Sequence, residues 1–295
     1  MNIENWLKAN TESLKGKRVA LTGSTGGIGT HLADHLASLG AELILLDRSC
    51  ERQSALCERI LSEYPDTIIH RIRVDMSDMQ SVKAAAGELI SLSPHVFIHN
   101  AGAYSIPRYI THEGYDNVFT INFIAPYYII RELLPTLREN RGRVVAVGSV
   151  AHNYSKSDPE DVDFHTRGAA SKVYGNAKRY LQFALHELFR QEKDASLAIV
   201  HPGITFTNIT AHYPPLIFAI IKHPMKVIFM KPRKAALCVL RGVFEATPYH
   251  TWIGPRLFGV WGYPKKSALR TCSEGESRQM YLRAEKIYNE LKNKA

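Results

Sequence analysis

Apolar residues fall in short continuous runs that alternate with helically spaced stripes. The runs are Arg18–Leu21, Leu43–Leu46, Thr67–Val74, Val96–Ile98, Arg143–Val147 and Leu197–Val200. Runs this short, without polar alternation, read as strands covered on both faces. Between them lie Leu32, Leu36 and Leu39 at helix spacing, a charged helical segment over Cys50–Tyr64, and Ser81–Ser91 with Ala84, Ala85 and Leu89 apolar. Further helices are expected over about 114–137, from about Ser171, and over Lys234–Ala246; Pro65 and Pro94 break the chain between elements. Strand and helix in regular alternation predict an α/β fold, a parallel sheet flanked by helices. The 295 residues suit a single domain with a core over about 16–255. Residues 1–16 read as an amphipathic lead-in, with Trp6 and Leu7 apolar, that caps the first strand. Thr251–Pro255 reads as a last edge strand or loop. Residues 256–295 read as an extension ending in a charged helix, Glu274–Lys294.

The first strand breaks into Thr22-Gly23-Ser24-Thr25-Gly26-Gly27-Ile28-Gly29, then a helix, then a strand ending at Asp47-Arg48. This is the βαβ unit of a dinucleotide site in a Rossmann-type, doubly wound sheet. Gly23 suits a turn at positive φ, and the later glycines let backbone approach a pyrophosphate. The helix starting near Gly27 offers free N–H groups to the phosphates. Gly23, Ser24, Thr25, Gly27, Ile28 and Gly29 are thus candidate cofactor contacts. Because Gly26 and Gly27 are both present, two glycine spacings fit. Asp47 could bond the adenosine ribose hydroxyls and repel a 2′-phosphate, while Arg48 could pair with that phosphate or stack on adenine. The cofactor is NAD or NADP, and Asp47 tips the reading to NAD. At the third strand's end, Asp75-Met76 is placed to meet the adenine, or Asp75 caps the helix starting near Ser77.

Candidate chemistry follows the fifth strand. Ser149 stands just past its end, where α/β sheets place their reactive groups. Tyr174-Gly-Asn-Ala-Lys178 puts a phenol and an ammonium on one helix face. A free phenol titrates near ~10, and a neighbouring ammonium lowers that value. Tyr174 would then exchange a proton with a substrate oxygen held by Ser149, with Lys178 also reaching the nicotinamide ribose. Asn122 lies inside an apolar helix, where its amide needs partners.

Asn100-Ala101-Gly102 after the fourth strand makes the pattern specific. With Tyr-x3-Lys, the strand-end Ser149 and Pro202-Gly203 after the sixth strand, the chain resembles the ordinary short-chain dehydrogenases/reductases over roughly residues 16–250. That resemblance selects the spacing Gly23-x3-Gly27-x-Gly29. It makes Asn100, Ala101 and Gly102 cofactor neighbours and Asn122 the residue that kinks its helix and holds a proton-relay water. It puts Pro202-Gly203 beside the nicotinamide, the backbone of Ile204 on the carboxamide and Thr207 on a phosphate. It also implies a homo-oligomer through the Tyr174 helix and its neighbour, which the C-terminal extension could alter. Ser149-Val150-Ala151-His152 and the twenty-five residues from Ser149 to Tyr174 resemble the retinol-dehydrogenase-like branch. The implied substrate is a lipophilic alcohol or carbonyl, steroid- or retinoid-like. Gly148 stands where relatives often have a second serine, which is expected to matter little.

A net charge of +9 raises nucleic acid or an acidic membrane as partners. Lys and Arg are spread along the chain and no nucleic-acid motif is present, so a basic surface around an anionic-cofactor pocket is preferred. Four cysteines show no zinc or CxxC spacing, and no metal is expected. The N-terminus lacks a signal-peptide pattern and no stretch spans a bilayer, so a cytoplasmic protein is expected. Residues 208–232 are strongly apolar at 216–221 and 227–230. They read as buried core or a lid over a greasy substrate, with membrane docking the least favoured. The competing functions are a non-catalytic dinucleotide sensor, a reductase of small polar carbonyls and a basic surface-binding protein.

Overall fold

The computed structural model describes residues 2–203 and 230–294. Eight strands form one sheet in the order β3-β2-β1-β4-β5-β6-β7-β8. They are β1 (Arg18–Thr22), β2 (Glu42–Asp47), β3 (Ile69–Arg73), β4 (Val96–His99), β5 (Arg143–Val147), β6 (Ser196–Val200), β7 (Thr251–Leu257) and β8 (Trp261–Ala268). The first seven run parallel and β8 returns antiparallel along β7. The strand order reverses between β1 and β4, which opens a crevice at the carboxyl ends of the strands.

Both faces are covered. On one lie α1 (Ile3–Asn10), α2 (Gly27–Ser38), α3 (Cys50–Glu63) and α8 (Pro232–Phe244), whose apolar stripes meet Val19, Leu21, Leu43 and Leu45 of the sheet. On the other lie α4 (Met79–Leu92), α6 (Ala125–Glu139) and α7 (Ala170–Leu188), packed on Ala20, Ile44, Phe97 and Val144, with α9 (Glu274–Asn293) laid over α7 and α6. Side chains alternate between faces along each strand, so one apolar run feeds both cores.

The strands at 18, 43, 96, 143 and 197 lie where the apolar runs predicted them. The far edge differs. Thr251–Pro255 is not the edge strand: β8 covers it, a strand hidden in sequence by Gly262, Pro264 and two lysines. Nor is the extension an appendage. Met280, Ala284, Ile287, Tyr288 and Leu291 form a buried stripe on α9 that joins the core with Phe123, Tyr127 and Tyr128. Tyr127 Oη donates to Glu285 at 2.6 Å and Arg131 pairs with the same carboxylate at 2.8 Å, which fixes α9 across α6. Asp78, not Asp75, caps α4, accepting from Gln80 N at 2.9 Å.

Candidate active site

A cleft of about 670 Å³ runs along the crevice from the glycine turn to Tyr174, a volume suited to one extended organic ligand. At its first end Gly23 has φ +66°, and a Cβ there would sit 2.9 Å from Ala101 Cα. A Cβ on Gly29 would strike Gly23 O at 2.1 Å. The turn is therefore packed too closely for side chains, and the free N–H groups of α2 open on the cleft behind Gly26. Thr25, Gly26, Gly27 and Ile28 line the cleft. Ser24 and Gly29, expected as contacts, are buried behind its wall: Ser24 bonds Asp47, and Gly29 provides close packing of helix on turn.

Asp47 lines the cleft at the end of β2, as expected of a cofactor neighbour. Its Oδ2 accepts from the Ser24 hydroxyl, and Oδ1 accepts from Thr25 N at 3.0 Å and Thr25 Oγ1 at 2.9 Å. Only 5% exposed, the carboxylate also braces the glycine turn, and burial pushes its pKa up. Arg48, Ser49 and Arg52 line the cleft beside it. Asp75 and Met76 line it further along; the Asp75 carboxylate accepts from Ser77 N at 2.9 Å.

Asn100, Ala101 and Gly102 form the floor. The Asn100 amide donates to Gly23 O at 3.0 Å and Thr22 O at 3.2 Å, while Thr22 Oγ1 accepts from Asn100 N and Ala101 N at 3.0 Å each. Thus β4 holds the glycine turn in place. Next to it, α5 (Asn117–Phe119) passes through a π-helical turn, Thr120–Ile124, into α6. Asn122 sits in that turn, donating to Ala103 O and Val118 O at 2.8 Å each and accepting from Ala103 N at 3.3 Å. The expected helix distortion is present, and the amide that makes it also fixes the backbone after Gly102.

Ser149, Tyr174 and Lys178 meet at the other end. Ser149 and Tyr174 line the same end of the cleft, and the serine side chain draws the phenol's pKa down. Lys178 Nζ donates to Val147 O at 2.9 Å and stands 5.8 Å from the centre of the Tyr174 ring. The expectation that the ammonium lowers the phenol's pKa does not hold. Desolvation pushes Tyr174 up to about 12 and Lys178 down to about 7, and among the described residues Ser149 draws the phenol down. Pro202 and Gly203 (φ +84°) close this end. Ile204, Thr207 and most of 208–232 lie outside the described residues.

Two positioning residues escaped the sequence reading. Gln182 Oε1 accepts from Ser149 N at 2.7 Å, and a Cβ on Gly148 would come within 2.2 Å of that oxygen. Gly148 therefore matters: its lack of a side chain admits Gln182. The signal was available, since Gln182 lies one turn past Lys178 on the same face. His152 Nδ1 bonds Ser149 O at 2.6 Å and Nε2 bonds Thr271 Oγ1 at 2.8 Å, linking the serine to the C-terminal segment.

Substrate space beside Tyr174 is walled by Tyr104, Ile106, Ile121, Val150 and Tyr154. Tyr104 packs edge-on against Tyr174, ring centres 5.3 Å apart. Arg108 fastens the two loops above, pairing with Asp116 at 2.7 Å and donating to Phe164 O and His165 O at 3.1 Å each. A nicotinamide dinucleotide fits these residues: the close-packed glycine turn and the uncapped N-terminus of α2 would hold its phosphates, with the Ser149 and Tyr174 hydroxyls at the far end of the same cleft.

The family model for short chain dehydrogenases matches residues 17–214. Among curated proteins, an uncharacterised oxidoreductase of Schizosaccharomyces pombe is 28% identical over 258 residues, 81% of this chain and 76% of that protein. Human retinol dehydrogenase 13 is 27% identical over 206 residues, 68% of this chain and 62% of its own length. A crystal structure of an uncharacterised protein from Mycobacterium paratuberculosis superposes with a TM-score of 0.78 at 22% identity, covering 95% of this chain and 96% of that one.

Proposed function

Because this chain belongs to the short-chain dehydrogenase family and is an NAD(P)-dependent oxidoreductase, we propose that it reduces a lipophilic carbonyl compound with NADPH, Tyr174 supplying the proton. One observation carries the reading: a single cleft joins the glycine turn to the Ser149–Tyr174–Lys178 group.

Bound NADPH supplies the hydride to the carbonyl carbon. Everything else falls to the chain. Ser149 and Tyr174 hold the carbonyl oxygen between two hydroxyls, which polarises it and sets its distance. A phenol pushed up to about 12 is protonated at neutral pH and ready to donate. Hydride on carbon and the Tyr174 proton on oxygen make the alcohol, leaving a phenolate to be reprotonated. Lys178 keeps two of its three N–H donors beyond the Val147 bond for that phenolate and for the ribose. Gln182 and His152 keep the Ser149 backbone in register.

The choice of NADPH over NADH rests on Asp47, Arg48 and Arg52. A carboxylate already accepting three hydrogen bonds from Ser24 and Thr25 is poorly placed to take ribose hydroxyls. Two guanidinium groups beside it suit a 2′-phosphate. The apolar wall at Tyr104, Ile106, Ile121 and Val150, together with the retinol dehydrogenase among the relatives, supports a greasy substrate. An oligomer through α6 and α7 is not supported, because α9 lies across that face.

The test is isotopic. Incubation with 4-deuterated NADPH and a panel of ketosteroids, retinal and long-chain aldehydes is expected to place one deuterium on the carbinol carbon of a product. Cofactor binding without transfer to any panel member would remove the lipophilic-substrate reading.

A further inference from the structure

The turn between β7 and β8 carries an apolar tip. Leu257 is 53% exposed, Phe258 92% and Trp261 40%. From Leu257 to Gly262 no side chain is charged or hydroxylated. Exposed hairpin turns ordinarily carry Gly, Asn, Asp or Ser, because water must solvate them. Phe258 even adopts φ 53°, a left-handed conformation that a bulky residue seldom takes.

Around this tip the charge is one-sided. Residues 231–272 contain eight Lys and Arg and one carboxylate, Glu245. Glu245 is neutralised by Arg241 at 2.6 Å and Lys266 at 2.7 Å. Arg256 and Lys265, on either side of the hairpin, have no carboxylate within ion-pair distance among the described residues. The basic residues are spread along the whole chain, as the sequence suggests, but the acidic ones are not. Residues 231–272 carry a net charge of +7, and Arg256 and Lys265 bring part of it to the hairpin.

We infer that the β7–β8 hairpin is a docking surface for an anionic lipid bilayer, with Leu257, Phe258 and Trp261 entering the interface and Arg256 and Lys265 meeting the headgroups. Aromatic and aliphatic side chains at a tip flanked by basic ones match the layered chemistry of a membrane surface. A nucleic acid would match the charge but leave an apolar tip with no polar group to read bases or sugars. The turn also backs onto the cleft: His201 Nε2 bonds Gly259 O at 3.0 Å, and Val260 O lies 2.7 Å from where a Gly203 Cβ would be. Docking would therefore set the cleft mouth beside the lipid. This goes beyond hydride transfer and stands or falls separately from it.

The probe is the full chain with phosphatidylcholine vesicles, with and without phosphatidylglycerol. Expected are sedimentation with the anionic vesicles, weakening as salt is added, and quenching of Trp emission by brominated lipid, lost in Trp261→Phe. The double variant Leu257→Thr/Phe258→Asn keeps the turn, since Asn tolerates the left-handed conformation. It is expected to reduce partitioning at least about tenfold while turnover of a water-soluble carbonyl is unchanged. Absence of binding to anionic vesicles would overturn the inference, as would binding indifferent to the double variant. Retention on DNA without vesicle binding would overturn it too, and assign the basic edge to nucleic acid. Turnover that persists while docking fails sinks only the docking surface.

Discussion

Tyr174 and Lys178 lie one helical turn apart, and the cleft moves their protons in opposite directions, the phenol up to about 12 and the ammonium down to about 7. A protonated phenol is the right partner for a carbonyl. The anion left on it after donation is stabilised by Lys178 only while Lys178 is charged. For carbonyl reduction, kcat/KM is therefore expected to fall as pH rises through about 7, where Lys178 loses its proton. Lys178→Met should be slower and lack that limb; a native profile flat across neutrality would contradict this assignment. The proposed preference for NADPH is tested at single residues too. Arg48→Ala/Arg52→Ala is expected to weaken NADPH binding about tenfold or more, as lost phosphate contacts do, and to leave NADH nearly unchanged. Calorimetric titration of both cofactors checks it, and equal losses for the two would point back to Asp47.

Between elements, Ser149 is held from two directions: by Gln182 on α7, and by His152, itself bonded to Thr271. Gln182→Leu removes the side-chain acceptor of the Ser149 N–H. It is expected to cost about 1–3 kcal/mol of stability and to lower kcat about tenfold with cofactor affinity retained. A thermal melt and a kcat against KM comparison check the two parts. These contacts also mark what a sequence makes legible. The glycine turn, Asn-Ala-Gly, the strand-end serine and Tyr-x3-Lys are local signals, each set by a backbone need within a few residues. The distortion at Asn122 was legible too, whereas the Asp47 brace on Ser24 and Thr25 and the Gly148–Gln182 fit depend on neighbours about 20 to 35 positions away. Strand β8 was hidden because an edge strand needs no apolar run, and its glycine, proline and lysines read as loop. The packing of α9 was hidden for another reason: a charged helix reveals its buried stripe only once the partner surface is known.

Across the whole molecule, α9 on α6 and α7 predicts that the chain does not pair through those helices. Cross-linking should give no α7–α7 link between copies, and a dimer whose cross-links map to α7 would contradict that. Buried histidines set the acid limit of the fold. Desolvation lowers His186 to about 3 and His201 to about 4, while unfolded chains titrate near ~6.5. The unfolded state thus takes up protons first as pH falls. Stability should drop from about pH 6.5 downwards, by up to about 1.4 kcal/mol per pH unit for each group. His186→Phe, which keeps the ring packing against Tyr249 and His250, should make that slope shallower by one proton; an unchanged slope in denaturation at pH 7, 6 and 5 would contradict it. The account as a whole rests on proton donation by Tyr174 in a cleft that binds NADPH. Its most direct test is NADPH oxidation on the lipophilic carbonyl panel by the native chain and by Tyr174→Phe, with cofactor binding measured in both. The account predicts turnover in the native chain and a loss of about a thousandfold or more in the variant at unaltered NADPH affinity. Comparable turnover by Tyr174→Phe would contradict it.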